Sequence, residues 1–199
     1  FVGALEARIA KDMRVQIWNY YIDNIFNVMW LEATMDHKLA SGNSLYAGLQ
    51  VLHESALGNG GNPDPAKAYM EKGGKAWMYS MRFGLRSIKG NLNVNYTRIT
   101  PDGRFLMPRE WGREPFYTFL PRERNEGLGD VHALTLNADL ERHGWQYAAG
   151  LGYYDLPDVQ NARLNKYGLP SYAQVNVSVK HHFYKMLEGL EGTLLVVHK

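Results

Sequence analysis

Polar and apolar residues change places at every step from Asn91 to Thr97, a run that reads Asn91, Leu92, Asn93, Val94, Asn95, Tyr96, Thr97. A period of two sends successive side chains to opposite faces of a strand, so the two faces here meet different solvents. The pattern recurs where Ala173, Val175, Val177 and Val179 oppose Gln174, Asn176, Ser178 and Lys180. Trp77, Tyr79, Met81, Phe83 and Leu85 likewise oppose Ala76, Met78, Ser80, Arg82, Gly84 and Arg86. Leu134 to Leu140, Trp145 to Tyr154 and Leu45 to Leu52 follow the rule less cleanly, and the stretches around Leu5, Arg14 to Ile22, Phe26 to Met35 and Leu190 to His198 more weakly still. Together they predict about ten strands and no helix.

The connections fall into two classes. Lys89-Gly90 and Glu141 to Gly144 are tight turns, and Asp36 to Asn43 is moderate. Ser55 to Gly74, Pro101 to Asp130 and Asp155 to Pro170 are long. Short and long connections in succession place the long ones at one end of an up-and-down sheet, which is the loop asymmetry of an outer-membrane barrel. The tight Asp23-Asn24 link falls on the long-loop side and breaks the rule.

A soluble sandwich also alternates, but its strands are short and its inner face is aliphatic. Several runs here reach membrane-strand length, with Trp77, Tyr96, Trp145 and Tyr172 near their ends, as in the aromatic girdles of a membrane barrel. Thirteen Tyr, 5 Trp and 20 Gly suit strands, turns and interfacial rings. The chain holds no run of about 18 apolar residues, which excludes a membrane-crossing helix but not a membrane-crossing strand. Zero cysteines remove disulfides, thiolate nucleophiles and cysteine-based metal sites, and a net charge of +2 is too mild to argue for nucleic acid. The expected fold is therefore all-β, a transmembrane antiparallel up-and-down β-barrel, with residues 1–199 in a single domain.

The sequence resembles the OprD family of substrate-specific outer-membrane porins. The resemblance lies in Val15-Gln16-Ile17-Trp18-Asn19-Tyr20-Tyr21 followed by Phe26-Asn27-Val28-Met29-Trp30-Leu31-Glu32-Ala33, and in Ser44-Leu45-Tyr46-Ala47-Gly48-Leu49-Gln50. It extends to Trp111-Gly112-Arg113-Glu114-Pro115-Phe116-Tyr117-Thr118 and to Leu187-Glu188-Gly189-Leu190-Glu191-Gly192-Thr193-Leu194-Leu195, which is similar to the family's penultimate strand. It implies a barrel of 18 strands, of which about ten lie here, so a C-terminal-half segment lacking N-terminal strands and the last strand is expected. It also implies an outer-membrane channel for passive, selective diffusion of small polar or charged solutes, without cofactor or catalysis.

If the aromatic and aliphatic faces touch lipid, the opposite faces line a lumen. Arg82 and Arg86 then share an inward face about 13 Å apart along one strand, beside Asn91, Asn93 and Asn95 on the next. The resemblance makes the two arginines candidates for the family's ladder of basic side chains. It also places the Pro101–Asp130 loop where one late loop folds into the pore, so Arg109, Glu110, Arg113, Glu114, Arg122 and Arg124 are candidates for a charged constriction. The competing reading of that loop is a solvated surface with weak, exchanging ion pairs. His181 and His182, adjacent in a strand, point to opposite faces and make no shared metal site. Ser55 lacks a nucleophile-elbow context, and Gly58 to Gly61 is a loop tip. Expected partners are outer-membrane lipid, lipopolysaccharide, a small-molecule solute and candidate neighbouring outer-membrane proteins, with no nucleic acid. The alternative function is an outer-membrane barrel acting as a receptor, an adhesin or a subunit of a larger outer-membrane complex.

Overall fold

A computed structural model describes residues 1–108 and 112–199. Ten strands lie among them: β1 (Val2–Ala10), β2 (Met13–Ile22), β3 (Phe26–Lys38), β4 (Ser44–Ala56), β5 (Lys75–Arg86), β6 (Gly90–Ile99), β7 (Val131–Arg142), β8 (Trp145–Asp155), β9 (Tyr172–His182) and β10 (Glu191–His198). They form one sheet in chain order, each neighbour antiparallel to the last. β1 pairs only with β2 and β10 only with β9, so the sheet is open at both edges.

The alternation survives in three dimensions. Leu92, Val94, Leu134, Leu136, Val175 and Val177 are all exposed on one face, while Asn93, Asn95, Thr135, Gln174 and Asn176 are buried on the other. An exposed apolar surface this continuous is the mark of an interface with lipid or protein. The strands with weak alternation, β2, β3 and β4, are weak for a reason. In their halves nearest the long loops, the inward face carries Trp30, Phe26, Val28 and Leu52, which pack with Phe105 and Leu106 from the 100–130 connection. Both faces are apolar there because the loop supplies a core.

The expected sorting of connections fails at the short β2–β3 link, as the sequence indicates, and at one further place. β9 and β10 are joined by residues 183–190, longer than the other turns at that end. Lys185 at φ 57° and Gly189 at φ 90° break the extended run there, so Leu187 to Leu190 of the segment that resembles the family's penultimate strand lie in the turn, and the strand expected from Leu190 begins at Glu191.

Register ties the inward side chains into rows across the sheet. One row reads Arg8, Arg14, Thr34, Gly48, Arg82, Asn95, Thr135, Gly152, Gln174. The next row toward the long loops reads Glu6, Gln16, Glu32, Gln50, Ser80, Thr97, Ala133, Tyr154, Tyr172. Beyond it the rows turn apolar, through Trp18, Trp30, Leu52, Met78, Ile99 and Val131.

The 100–130 loop lies along the second row. Gln50 donates to Pro115 O at 3.0 Å, Tyr117 N to Ser80 Oγ at 3.0 Å, Thr118 Oγ1 to Thr97 Oγ1 at 2.8 Å and Tyr154 OH to Thr118 O at 3.0 Å. Pro121 O then accepts from Gln174 and Asn176, both at 2.9 Å. From β5 to β9 a flat sheet would measure about 19 Å, whereas Tyr117 to Pro121 spans at most about 14 Å even when extended. That segment is not extended, turning where Phe119 N bonds Phe116 O. The sheet therefore curls toward the loop, with its polar face inside.

The tight link between β2 and β3 depends on Asn24, which sits at φ 59° and accepts from Asn59 N at 2.9 Å through Oδ1. Asn tolerates this left-handed backbone and a β-branched residue does not. Asn24→Val is expected to destabilise the fold by about 1–2 kcal/mol, measured as a shift in the urea midpoint of refolded protein, whereas Asn24→Asp should keep most of the stability.

Candidate functional site

The polar face and the loop seated on it bring together most of the candidate residues. Arg82 on β5 donates through Nε to Asn95 Oδ1 at 3.0 Å and lies over the Tyr117 ring at 4.3 Å. Arg86, one turn-ward step along, pairs with Asp36 at 2.7 Å and lies over the Tyr46 ring at 4.7 Å. Tyr46 OH in turn donates to Asn91 Oδ1. Asn93 and Asn95 join in an amide ladder: Asn95 Nδ2 donates to Asn93 Oδ1 at 2.7 Å and to Thr135 Oγ1 at 3.0 Å, and Asn137 Nδ2 reaches Asn93 at 3.3 Å. With donors and acceptors matched along the ladder, the buried amides escape the cost of unpaired polar groups.

In front of the arginines lies an open cavity of about 460 Å³. Its basic lining is Arg8, Lys11, Arg14, Arg82 and Arg86, set against Asp12, Glu32 and Asp36. A second open cavity, of about 630 Å³, continues past Arg86 toward the short turns and ends near Lys180, Asp139 and Glu141. Arg86 borders both. The sequence reading missed Arg8 and Arg14, because β1 and β2 alternate poorly and their inward faces could not be assigned. It also missed Glu32, which accepts from Gln16 at 2.9 Å, Gln50 at 3.1 Å and Tyr117 OH at 2.5 Å.

Glycines on the inward face make the seat for the loop. A Cβ at Gly48 would stand 2.4 Å from Tyr117 Oη, and one at Gly150 or Gly152 would stand 2.9 Å from a Leu120 methyl. Glycine inside a strand marks a close approach by another segment. That signal was present in the sequence and would have pointed to the seat.

The charged loop residues divide. Arg113 is exposed and lies over the Phe119 ring at 5.7 Å, Arg122 is exposed at φ 69°, and Arg124 donates to Met107 O at 3.2 Å. Glu114 turns inward into the loop, where its carboxylate accepts from Asn125 N at 2.7 Å and Asn125 Nδ2 at 2.6 Å. Arg109 and Glu110 lie outside the described residues. The loop is thus neither a solvated strip nor a plain ring of charges, since Glu114, Glu123 and Glu126 are all buried within it. Burial pushes the Glu114 carboxyl up to about 7 against the opposing pull of its Asn125 hydrogen bonds. Burial, and next the Glu114 charge, also push Glu123 well up. Among the described residues no group of three or more His, Cys, Asp or Glu side chains is placed to hold a metal ion.

No protein-family model and no curated protein matches this sequence. Solved structures do. Pseudomonas aeruginosa OccK3 (OpdO) superposes with a TM-score of 0.80 at 15% identity, over 98% of this chain and 50% of that one. OccK8 (OprE) of the same organism gives 0.79 at 14% identity, over 98% and 52%. OpdK, solved with vanillate, gives 0.73 at 11% identity, over 98% and 50%. These are porins of the OprD/Occ family with β-barrel folds. The ten-stranded antiparallel up-and-down sheet of this chain has the fold of the matching half of these structures, and the chain spans about half their length.

A carboxyl raised by burial favours the seated loop while it is protonated. The seated state keeps that advantage fully below the free value near 4.5 and loses it as pH rises through about 7. Seating is therefore expected to be firmest in mild acid and to loosen above neutrality, read as rising hydrogen exchange of the Phe116 to Glu123 amides between pH 5 and 8 after correction for the intrinsic rate. Glu114→Gln should flatten that dependence, and Glu123→Gln should reduce it.

Proposed function

We propose that this chain is part of the wall of an outer-membrane diffusion channel, a barrel of about 18 strands that passes small polar or charged solutes down their gradient. The observation that carries the reading is the two-faced sheet: an exposed apolar outside, and a polar inside lined by cations and crossed by a loop. A membrane strand needs its outward side chains apolar and its backbone paired. Strands β2 through β9 each pair on both sides, and their outward faces are mostly apolar or aromatic, with Asn19, Asn27, His53 and Arg98 toward the strand ends. The unpaired edges of β1 and β10 are the places where further strands would close the barrel.

The loop narrows the lumen at Tyr117, and Arg82, Arg86, Arg8 and Arg14 give the passage beside it an anion-attracting wall. Water in the lumen removes the cost of unpaired guanidinium groups that a dry core would impose. The amide row of Asn91, Asn93 and Asn95 offers hydrogen bonds that replace part of a solute's hydration. Arg113, Arg122 and Arg124 belong to the constricting loop in this reading, while Glu114 holds its shape from within. The apolar face meets outer-membrane lipid and lipopolysaccharide, and the partner of the inner face is the solute. The vanillate of the OpdK structure is a carboxylate. That fact belongs to OpdK, but it supports an anionic solute class here.

The complete protein in a planar bilayer should give discrete ion-conducting steps with a preference for anions, and no conductance above background would refute the channel reading. Replacing Arg82 and Arg86 together by Ala should lower the chloride-to-potassium permeability ratio about three- to tenfold, on the scale of one or two unit charges acting through water. Unchanged reversal potentials would show that these side chains do not face the conducting path.

A further inference from the structure

Tyr117 stands where two opposite charges of the polar face would otherwise meet. Glu32 on β3 and Arg82 on β5 are separated by β4, whose inward residue paired with Arg82 is Gly48. Two strand spacings and a two-residue step set their Cα atoms about 12 Å apart. An extended arginine and a glutamate can close that distance, and Gly48 puts no side chain in the way. The ring of Tyr117 does. Its hydroxyl donates to Glu32 Oε1 at 2.5 Å, and its face carries the Arg82 guanidinium at 4.3 Å. The slot exists only because residue 48 is glycine, since a Cβ there would come within 2.4 Å of the tyrosine oxygen.

The surrounding partners keep the two charges apart. Glu32 is satisfied by the amides of Gln16 and Gln50 together with the tyrosine hydroxyl. Arg14, one row away on β2, pairs with Glu6 at 3.7 Å. Arg82 makes its hydrogen bond to the neutral Asn95. Among the described residues no carboxylate lies within ion-pair distance of it. Its neighbour Arg86 is instead tied to Asp36 at 2.7 Å. Of the two arginines on this strand, Arg82 is the one whose charge is unspent.

We infer that Tyr117 is a charge separator: it keeps Glu32 from neutralising Arg82, and so preserves the free guanidinium that sets the charge preference of the passage. The inference rests on the channel reading above and goes beyond it, because it assigns selectivity to a residue that carries no charge. Tyr117 acts through Arg82 and is a positioning residue in this role.

The test is a set of reversal potentials under a potassium chloride gradient, measured on the complete protein in planar bilayers. Tyr117→Ala should lower the chloride-to-potassium permeability ratio about threefold, the effect of one unit charge lost from the wall. Tyr117→Phe, which keeps the ring between the two groups, should stay close to the unsubstituted ratio. Tyr117→Ala combined with Glu32→Gln should restore it, because Arg82 then has no carboxylate to pair with. A role confined to holding the loop would raise conductance in Tyr117→Ala, and Glu32→Gln would not bring the permeability ratio back. An anion preference that survives Tyr117→Ala, or a loss that Glu32→Gln fails to repair, overturns the separator while leaving the channel reading intact. An unsubstituted protein that does not conduct takes down the channel reading and the separator with it.

Discussion

A single row of inward side chains, from Gln16 through Glu32, Gln50, Ser80 and Thr97 to Tyr154, carries the loop that gives this sheet its second layer. The row works because antiparallel register is continuous from β1 to β10, so residues far apart in sequence arrive at one height. Gln50, Ser80 and Tyr154 bond backbone groups of the loop that would otherwise be buried unpaired, and Glu32 and Thr97 bond the side chains of Tyr117 and Thr118. On the long-loop side of this row the inward face is apolar apart from Glu54, which accepts from Leu106 N at 3.3 Å, and it packs with Phe105, Leu106 and Phe116. On the other side it is polar and open, and the cavities lie there. The seated loop thus divides an apolar core from an open polar face, and the position of Tyr117 at that boundary follows from the register of the sheet.

The two faces also divide the physical work. Outward side chains contribute apolar surface and ask for nothing directional, which is why Leu, Val, Met and aromatic residues interchange along them. Inward side chains are directional, and nearly every one in the central strands is engaged: Asn93 with Asn95 and Asn137, Gln174 with Asn176 and Pro121, Ser80 with Thr97. Networks of this kind hold geometry because each member lacks an alternative partner. A channel wall needs that rigidity on the side that meets solute and can do without it on the other.

Much of this was legible in the sequence, and the physical reason is the period of two. Asn91 to Thr97 or Ala173 to Lys180 state their faces outright, because each face has one solvent. β3 and β4 state them poorly, because Phe26, Val28, Trp30 and Leu52 are apolar on the inward side too, under a loop that arrives from later in the chain. Glu32 was lost to sequence reading for the same reason. Its partner Tyr117 is 85 residues away, and neither alternation nor spacing encodes a contact of that range. Gly48, Gly150 and Gly152 did record it, as gaps in an otherwise regular inward face, and they are the residues from which the seat could have been inferred. The inward turn of Glu114 left no such trace, because a charged residue in a polar loop reads the same whether it faces water or Asn125.

The central claim is that one face of this sheet meets lipid and the other meets water, and β9 allows it to be tested residue by residue. The chain has no cysteine, so single substitutions at Val175, Val177, Ser178 and Lys180 each create one labelling site. In bilayers of brominated phospholipid, a fluorophore attached at Val175 or Val177 should be quenched, while Ser178 and Lys180, which line the open cavity, should instead react with a membrane-impermeant thiol reagent applied from the aqueous side. Uniform quenching along the strand, or reagent access to all four positions alike, would contradict a wall that stands between membrane and lumen.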